Sequence, residues 1–279
     1  MANRGRHGSK GSSVARTVHP KRSATAFFVL TIVLSIPFWL LGAFLTVPEN
    51  VLFGLPLTAF QLVAPFVAAV VLVRIREGRS GLRAFLLDAF DLRTIRRRPG
   101  TLTLILVMPA VYAAGWALMM LVGQPLPDLQ VVWQVIPVLF MVFLVAGLFE
   151  EVGWTGYALD PLQSRLGALG AALIIGVVWA GFHLVADMQS GYVVGWIVWH
   201  RIGSVMLRVL IVAAVNSTGG GIWAAVVLHA GDNIAWQLFP NGGSHYDPAF
   251  VTPFTCLLAV IIMVALGPRT LAPRSARPS

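Results

Sequence analysis

The chain has 279 residues, of which 57% are hydrophobic and only 11% charged, with a formal net charge of +9 and a mean hydropathy of +0.81. A soluble domain of this length carries about 25% charged residues, so the composition excludes one and points to an integral membrane protein built as one helical domain. The basic balance is not read as a nucleic-acid surface, because the positive charges flank apolar runs and no basic–aromatic motif accompanies them.

In chain order, residues 1–24 are polar and basic and are expected to form a disordered cytoplasmic tail. The apolar run that follows has no convincing small-residue cleavage site and reads as a first span, not a removable signal. A helix needs roughly 20 apolar residues to cross a bilayer core. That rule predicts eight spans, near 25–47, 51–73, 101–123, 131–152, 167–186, 191–215, 220–239 and 249–267. The expected fold is an all-α polytopic membrane protein, with a helical domain over 25–267 and a second tail over 268–279.

Basic residues set the expected orientation. Arg4 to Arg22 precede the first span, eight arginines from Arg74 to Arg98 separate spans two and three, Arg165 follows span four, and Arg269, Arg274 and Arg277 close the chain. The alternate connections PEN, QPLPDLQ, DMQS and PNGGSHYDP contain no Lys or Arg. Lys and Arg are enriched in cytoplasmic loops, so both termini are expected in the cytoplasm. The segment GLRAFLLDAFDLRTIRRR (81–98) spaces Leu82, Phe85, Leu86 and Phe90 as an amphipathic helix on the inner leaflet would. The single cysteine, Cys256, lies in an apolar run and is expected to act as a small hydrophobe.

Ionisable groups inside spans are costly, and each is a candidate for function. They are Glu150 and Glu151 at the end of span four, His183 in span five, His200, Arg201 and Arg208 in span six, and His229 and Asp232 in span seven. Trp179 and His183 are four residues apart and share a helix face, as do His229 and Asn233. Two carboxylates, two histidines and an amide from three helices can converge on a water, supplying a general base, a second proton carrier and oxyanion donors. Each also has a structural reading. Paired acids can mark a span's end, intramembrane His and Asn can bond neighbouring helices, and Arg201 and Arg208 can serve as ion-pair partners. Asp232 has no role on this reading.

The stretches EEVGWTG (150–156), WAGFH (179–183) and HAGDN (229–233) follow one another on successive spans. They resemble the three motifs of the CPBP family, the CAAX-protease and bacteriocin-processing intramembrane proteases. Those motifs read Glu-Glu-x-x-x-Arg, aromatic-x-x-x-His and His-x-x-x-Asn. The likeness covers about 130–240, and NSTGGGIWAAVVLHAGDN (216–233) is similar to the family's approach to its third motif. It implies an endopeptidase in which Glu150 activates a water with help from His183, Glu151 orients the site, and His229 and Asn233 stabilise the oxyanion. Trp154 and Trp179 support the site or the substrate. Glu150, His183 and His229 are the candidate ligands for zinc or another divalent cation, and a metal-free mechanism stands equally open.

The sequence departs from the family at Thr155, which occupies the motif's Arg position. Glu151 therefore needs another partner, for which Arg165, Arg201 and Arg208 are candidates, or is protonated. Straight spans would also keep Glu150, His183 and His229 apart, so span four is expected to stay helical to about Tyr157. The expected partners are the bilayer and a membrane-associated peptide or protein, and no nucleic acid. The expected setting is a bacterial inner or plasma membrane, with the site facing the cytosol. A catalytically inactive immunity or scaffold relative and a proton-coupled transporter are the competing readings.

Overall fold

The structure is a computed structural model that describes residues 22–45, 57–93, 99–128, 133–219, 221–239 and 242–273. Its helices are α1 (Ala24–Phe44), α2 (Val63–Ala89), α3 (Val107–Leu121), α4 (Ile136–Gly153), α5 (Leu159–Gln189), α6 (Val194–Ser217), α7 (Ile222–Leu238) and α8 (Pro248–Leu266). Short 3₁₀ turns lead into α2 (Leu57–Leu62), α3 (Pro99–Leu106) and α4 (Trp133–Val135). No described residue is in a strand. In hydrocarbon each backbone polar group must be satisfied within the protein, and helices do this segment by segment.

Six helical segments among the described residues are long and apolar enough to cross a membrane. Their outer faces are lipid-like, with Val29, Leu40, Val138, Val177 and Val264 more than half exposed. The inner faces rely on small residues, including Ala64, Ala68, Ala171 and Ala172, which let backbones approach closely. The chain is a polytopic all-α membrane protein. Helix α7 has 17 residues and carries the His229 and Asn233 pair within a largely buried surface.

Successive helices run up and down, and two chemically different ends result. At one end the Arg22 Nε sits 2.8 Å from Glu77 on α2, and Arg22 Nη1 donates to the Gly156 carbonyl at 3.1 Å. The Ala168 N–H donates to the Arg269 carbonyl at 2.9 Å, and Asn216 Nδ2 to the Thr270 carbonyl at 2.8 Å. At the other end Gln189 Nε2 donates to the Trp39 carbonyl at 2.9 Å, Thr58 bonds Gln189, and Trp196 Nε1 donates to the Tyr246 carbonyl at 3.3 Å. Connections rich in arginine belong to the first end, and those lacking Lys and Arg to the second.

At Gly78 (φ +77°, ψ −168°) two helices meet across a kink, and the second carries the expected segment from 81 as far as Ala89. Of its apolar face, Phe85 is buried in the core beneath the Arg22 guanidinium, which lies 5.1 Å from its ring centre, while Phe90 is exposed. Residues 94–98 of that segment lie outside the described residues, as does 51–56 of the second span. Beyond α8, Leu271 and Ala272 are buried in the bundle, so the chain is packed past the 268 boundary expected for the C-terminal tail. Residues 1–21 and 274–279 lie outside the described residues.

Candidate active site

The paired glutamates sit on the last turn of α4, and the chain stays helical beyond them through Tyr157, as the spacing requires. It does so by a π-turn, Trp154–Ala158, before α5 begins. Such turns interrupt the i to i−4 ladder and re-aim side chains, often at functional sites. Gly153 lets α4 press against its neighbours there, since a Cβ would stand 2.6 Å from the Pro65 carbonyl oxygen and 2.8 Å from the Phe27 ring. Helix α5 then bends at Gly167, where φ of +73° suits a residue without a Cβ. The bend carries Trp179 and His183 back alongside Glu150.

Glu150 and Glu151 are adjacent in sequence and face opposite tasks. Glu151 is fully buried and its two oxygens are saturated. Arg208 Nη1 donates to Oε2 at 2.7 Å and Nη2 to Oε1 at 3.0 Å. The Thr155 hydroxyl donates to Oε2 at 2.6 Å, and His229 Nδ1 lies 3.0 Å from Oε1. The partner that Thr155 cannot supply is therefore Arg208 on α6, reaching from another helix in the bidentate geometry that suits guanidinium and carboxylate. Thr155 keeps a part in holding the same oxygen.

Glu150 presents a carboxylate with capacity left over. Oε2 accepts from Trp179 Nε1 at 2.7 Å and from Trp154 Nε1 at 3.3 Å. Oε1 faces His183 Nε2 at 4.0 Å, beyond direct hydrogen-bond range. His183 Nδ1 sits 2.9 Å from the Trp179 carbonyl oxygen, which can only accept, so Nδ1 carries the proton and Nε2 is the nitrogen turned to Glu150. By the same logic His229 gives its Nδ1–H to Glu151 and keeps Nε2 for other work. Trp179 stands at the centre: its ring meets His183 and His229 edge to face at 5.4 and 5.2 Å, and Arg208 lies over it at 4.5 Å.

A cavity of about 810 Å³ joins these groups, lined by Glu150, Trp179, His183, His229 and Asn233 together. Its walls follow helical rows: Val142, Ala146 and Glu150 on α4, Trp179, His183 and Asp187 on α5, and His229, Asn233 and Gln237 on α7. Each row is spaced by four residues, so one face of each helix lines the space. The rows run from Glu150, Trp179 and His229 to Ser190, Tyr192 and Gly242–Ser244, at the end without arginines. Below the floor, Glu151, Arg208, Trp154, Tyr157 and Leu159 are fully buried and close the arginine end. The lining thus extends toward the arginine-free end, whereas the sequence reading expected the site to face the cytosol.

Of the expected residues, Glu150, Trp179, His183, His229 and Asn233 share the cavity, while Glu151 and Trp154 lie behind it. Asp187 was missed: it stands in the stretch read as a connection, yet it is buried and pairs with Arg201 Nε at 2.9 Å. Its position four residues after His183 was the available signal. Asp232, without a role in the sequence reading, lines the cavity beside Asn233. As placed, no group of three or more His, Cys, Asp and Glu stands close enough to hold an ion among the described residues.

Residues 132–235, which carry every residue of this cluster, match the family model of the type II CAAX prenyl endopeptidase Rce1-like proteins. Over 175 residues the chain is 30% identical to CAAX prenyl protease 2 of Methanococcus maripaludis. This stretch is thus similar to the CPBP-family proteases. The alignment with the archaeal relative covers 58% of this chain and 62% of that protein, so the chain spans less than two thirds of that relative's length. The family-model likeness covers the helices that hold Glu150, His183 and His229.

Proposed function

We propose that the chain is an intramembrane endopeptidase that hydrolyses a peptide bond with a water activated by Glu150. The observation that carries this reading is the geometry of one carboxylate. Glu150 is held by two indole N–H groups on one oxygen and faces His183 Nε2 across a 4.0 Å gap with the other, at the floor of a cavity large enough for a peptide segment.

The reaction follows from the atoms available. A water at the floor gives a proton to Glu150 as its oxygen attacks the carbonyl carbon of the substrate. The developing oxyanion is met by His229 Nε2–H and the Asn233 amide, both on the same face of α7. His229 can carry the second proton this requires because Nδ1 donates to the Glu151 carboxylate. The tetrahedral intermediate then expels the amine, which takes the proton held by Glu150, with His183 Nε2 as the second carrier. The products are a carboxylate and an amine, and no step passes through a metal. Glu151 and Arg208 fix His229 and take no proton.

Arg208, which supplies the ion pair absent at Thr155, supports the active reading over that of an inactive relative. The substrate we infer is a membrane-associated peptide or protein, and the setting a bacterial cell membrane. The archaeal relative's name assigns a prenylated CAAX protein to that relative. Purified protein offered candidate membrane peptides tests the proposal. Cleavage by wild type and its loss in both Glu150→Ala and His229→Ala is expected, and retained cleavage in both variants would refute the assignment. Robust proton-coupled solute uptake in proteoliposomes would favour the transporter instead.

A further inference from the structure

We infer that the catalytic cavity is reached from the extracytoplasmic side of the membrane, so that the substrate is a segment presented on that face. The inference rests on the protease reading for the word substrate. It rests on charge and geometry alone for the side of access.

Two observations combine. The first is the distribution of positive charge. Of the twenty Lys and Arg residues, Arg201 and Arg208 lie inside α6, and all the others except Arg165, which follows α4, lie in the two terminal segments or in the α2–α3 region. The connections between α1 and α2, α3 and α4, α5 and α6, and α7 and α8 have none, while Glu49, Asp128 and Asp247 fall within them. This asymmetry sets the arginine end in the cytoplasm. The second is the direction of the cavity. Its rows climb from Glu150, Trp179 and His229 to Leu45, Tyr192 and Ser244, all at the arginine-free end. Along α7 the climb from His229 to Gln237 is eight residues, roughly 12 Å. Leu45 and Tyr192 are exposed at the mouth, 53% and 36% respectively.

Among the described residues the floor is closed by a packed layer. Between the catalytic groups and the arginine end stand Glu151, Arg208, Trp154, Tyr157, Phe27 and Leu159, each at or near zero exposure. A peptide carrying its scissile bond in the cytosol would have to pass through this packed layer. A segment already translocated, or the outer end of a membrane-spanning segment, needs only to enter the mouth. A prenylated C-terminal peptide made and held on the cytosolic face does not meet that requirement.

Single-cysteine reporters test this in cells with the full chain. Cys256 is the chain's single cysteine, so Cys256→Ala clears the background. Into it are placed Ser244→Cys at the mouth, Ser80→Cys at the arginine end, and Ala186→Cys or Ser204→Cys on the cavity wall. None of these belongs to the catalytic set. A membrane-impermeant maleimide is then applied to intact spheroplasts and to permeabilised ones. The expected result is labelling of the mouth and wall reporters in intact spheroplasts, with Ser80→Cys labelled only after permeabilisation. The reverse pattern overturns the inference, as does wall labelling that requires permeabilisation while Ser244→Cys labels without it. If one wall variant fails to accumulate, the other gives the reading. Labelling does not depend on cleavage, so an inactive protein can still confirm the side of access. An active one labelled from the cytosol keeps the protease reading and loses this one.

Discussion

Arg208 grips Glu151 through both terminal guanidinium nitrogens, at 2.7 and 3.0 Å, with both side chains fully buried and 57 residues apart in sequence. The pair anchors α6 to the end of α4 and sets the carboxylate against which His229 is oriented. Removing one member of a buried pair strands the other charge, which costs about 3–5 kcal/mol.

Arg208→Ala is therefore expected to destabilise the protein by about that amount and to abolish activity. Arg208→Lys keeps the charge but not the fork and is expected to fall between the two. Thermal unfolding in detergent, alongside a cleavage assay, checks both. Thr155→Arg placed in the Arg208→Ala background puts the cation back at the position where the family motif carries it, and is expected to recover part of the stability. Thr155→Val alone loses one hydrogen bond to Glu151 and is expected to cost about 1 kcal/mol.

Trp179 holds Glu150 by a single indole N–H at 2.7 Å while its ring packs between His183, His229 and Arg208. Trp179→Phe keeps much of the packing and deletes that bond. Activity is expected to fall about 10²-fold with the unfolding temperature changed little, because a misplaced catalytic group loses rate before it loses fold. Steady-state cleavage and a melting curve on the same preparation read both quantities. A wild-type rate in this variant would show that Glu150 does not depend on the indole.

Gly153 faces the Pro65 carbonyl and the Phe27 ring at distances no Cβ tolerates. Gly153→Ala forces α4 away from α1 and α2, and overpacking of this kind costs about 1–3 kcal/mol. The variant is expected to melt earlier and to lose activity in proportion, since the same movement displaces the glutamate pair. A melting temperature equal to the wild type's would mean that the helices accommodate the methyl group.

Much of this arrangement was legible beforehand. Among the described residues each expected apolar run overlaps a helix, because in a bilayer the backbone leaves few alternatives. Helix α2, however, runs from Val63 to Ala89, well past the expected 73, and six segments rather than eight are long and apolar enough to span. The three short motifs located Glu150, His183, His229 and Asn233, because spacing by four residues places side chains on one face. What sequence did not distinguish was which arginine would meet Glu151. Arg165, Arg201 and Arg208 are equivalent cations in one dimension, and the rotation of α6 against α4 and α5 sends Arg201 to Asp187 and Arg208 to Glu151. The burial of Phe85 and the direction of the cavity were hidden for the same reason. Both depend on how helices lean on one another after the bends at Gly78 and Gly167. A π-turn after the glutamates has no spacing signature, although it decides where they point.

The donor arrangement bears on chemistry as well. His183 Nδ1 and His229 Nδ1 are engaged by a carbonyl and a carboxylate, Glu150 is engaged by two indoles, and no group of three or more ligating side chains forms among the described residues. On the metal-free route proposed for Glu150, cleavage is expected to survive a strong chelator, with the purified protein assayed before and after dialysis. Loss of activity that zinc restores would require Glu150, His183 and His229 to close around an ion.

The central claim is that Glu150 is the base, and Glu150→Gln tests it most directly. The amide keeps the size of the side chain and an acceptor for the Trp179 N–H, but takes no proton from water. With purified protein in lipid and a peptide that the wild type cleaves, the account predicts a rate at least about 10²-fold lower with an unchanged melting temperature. Cleavage by Glu150→Gln at the wild-type rate would contradict it.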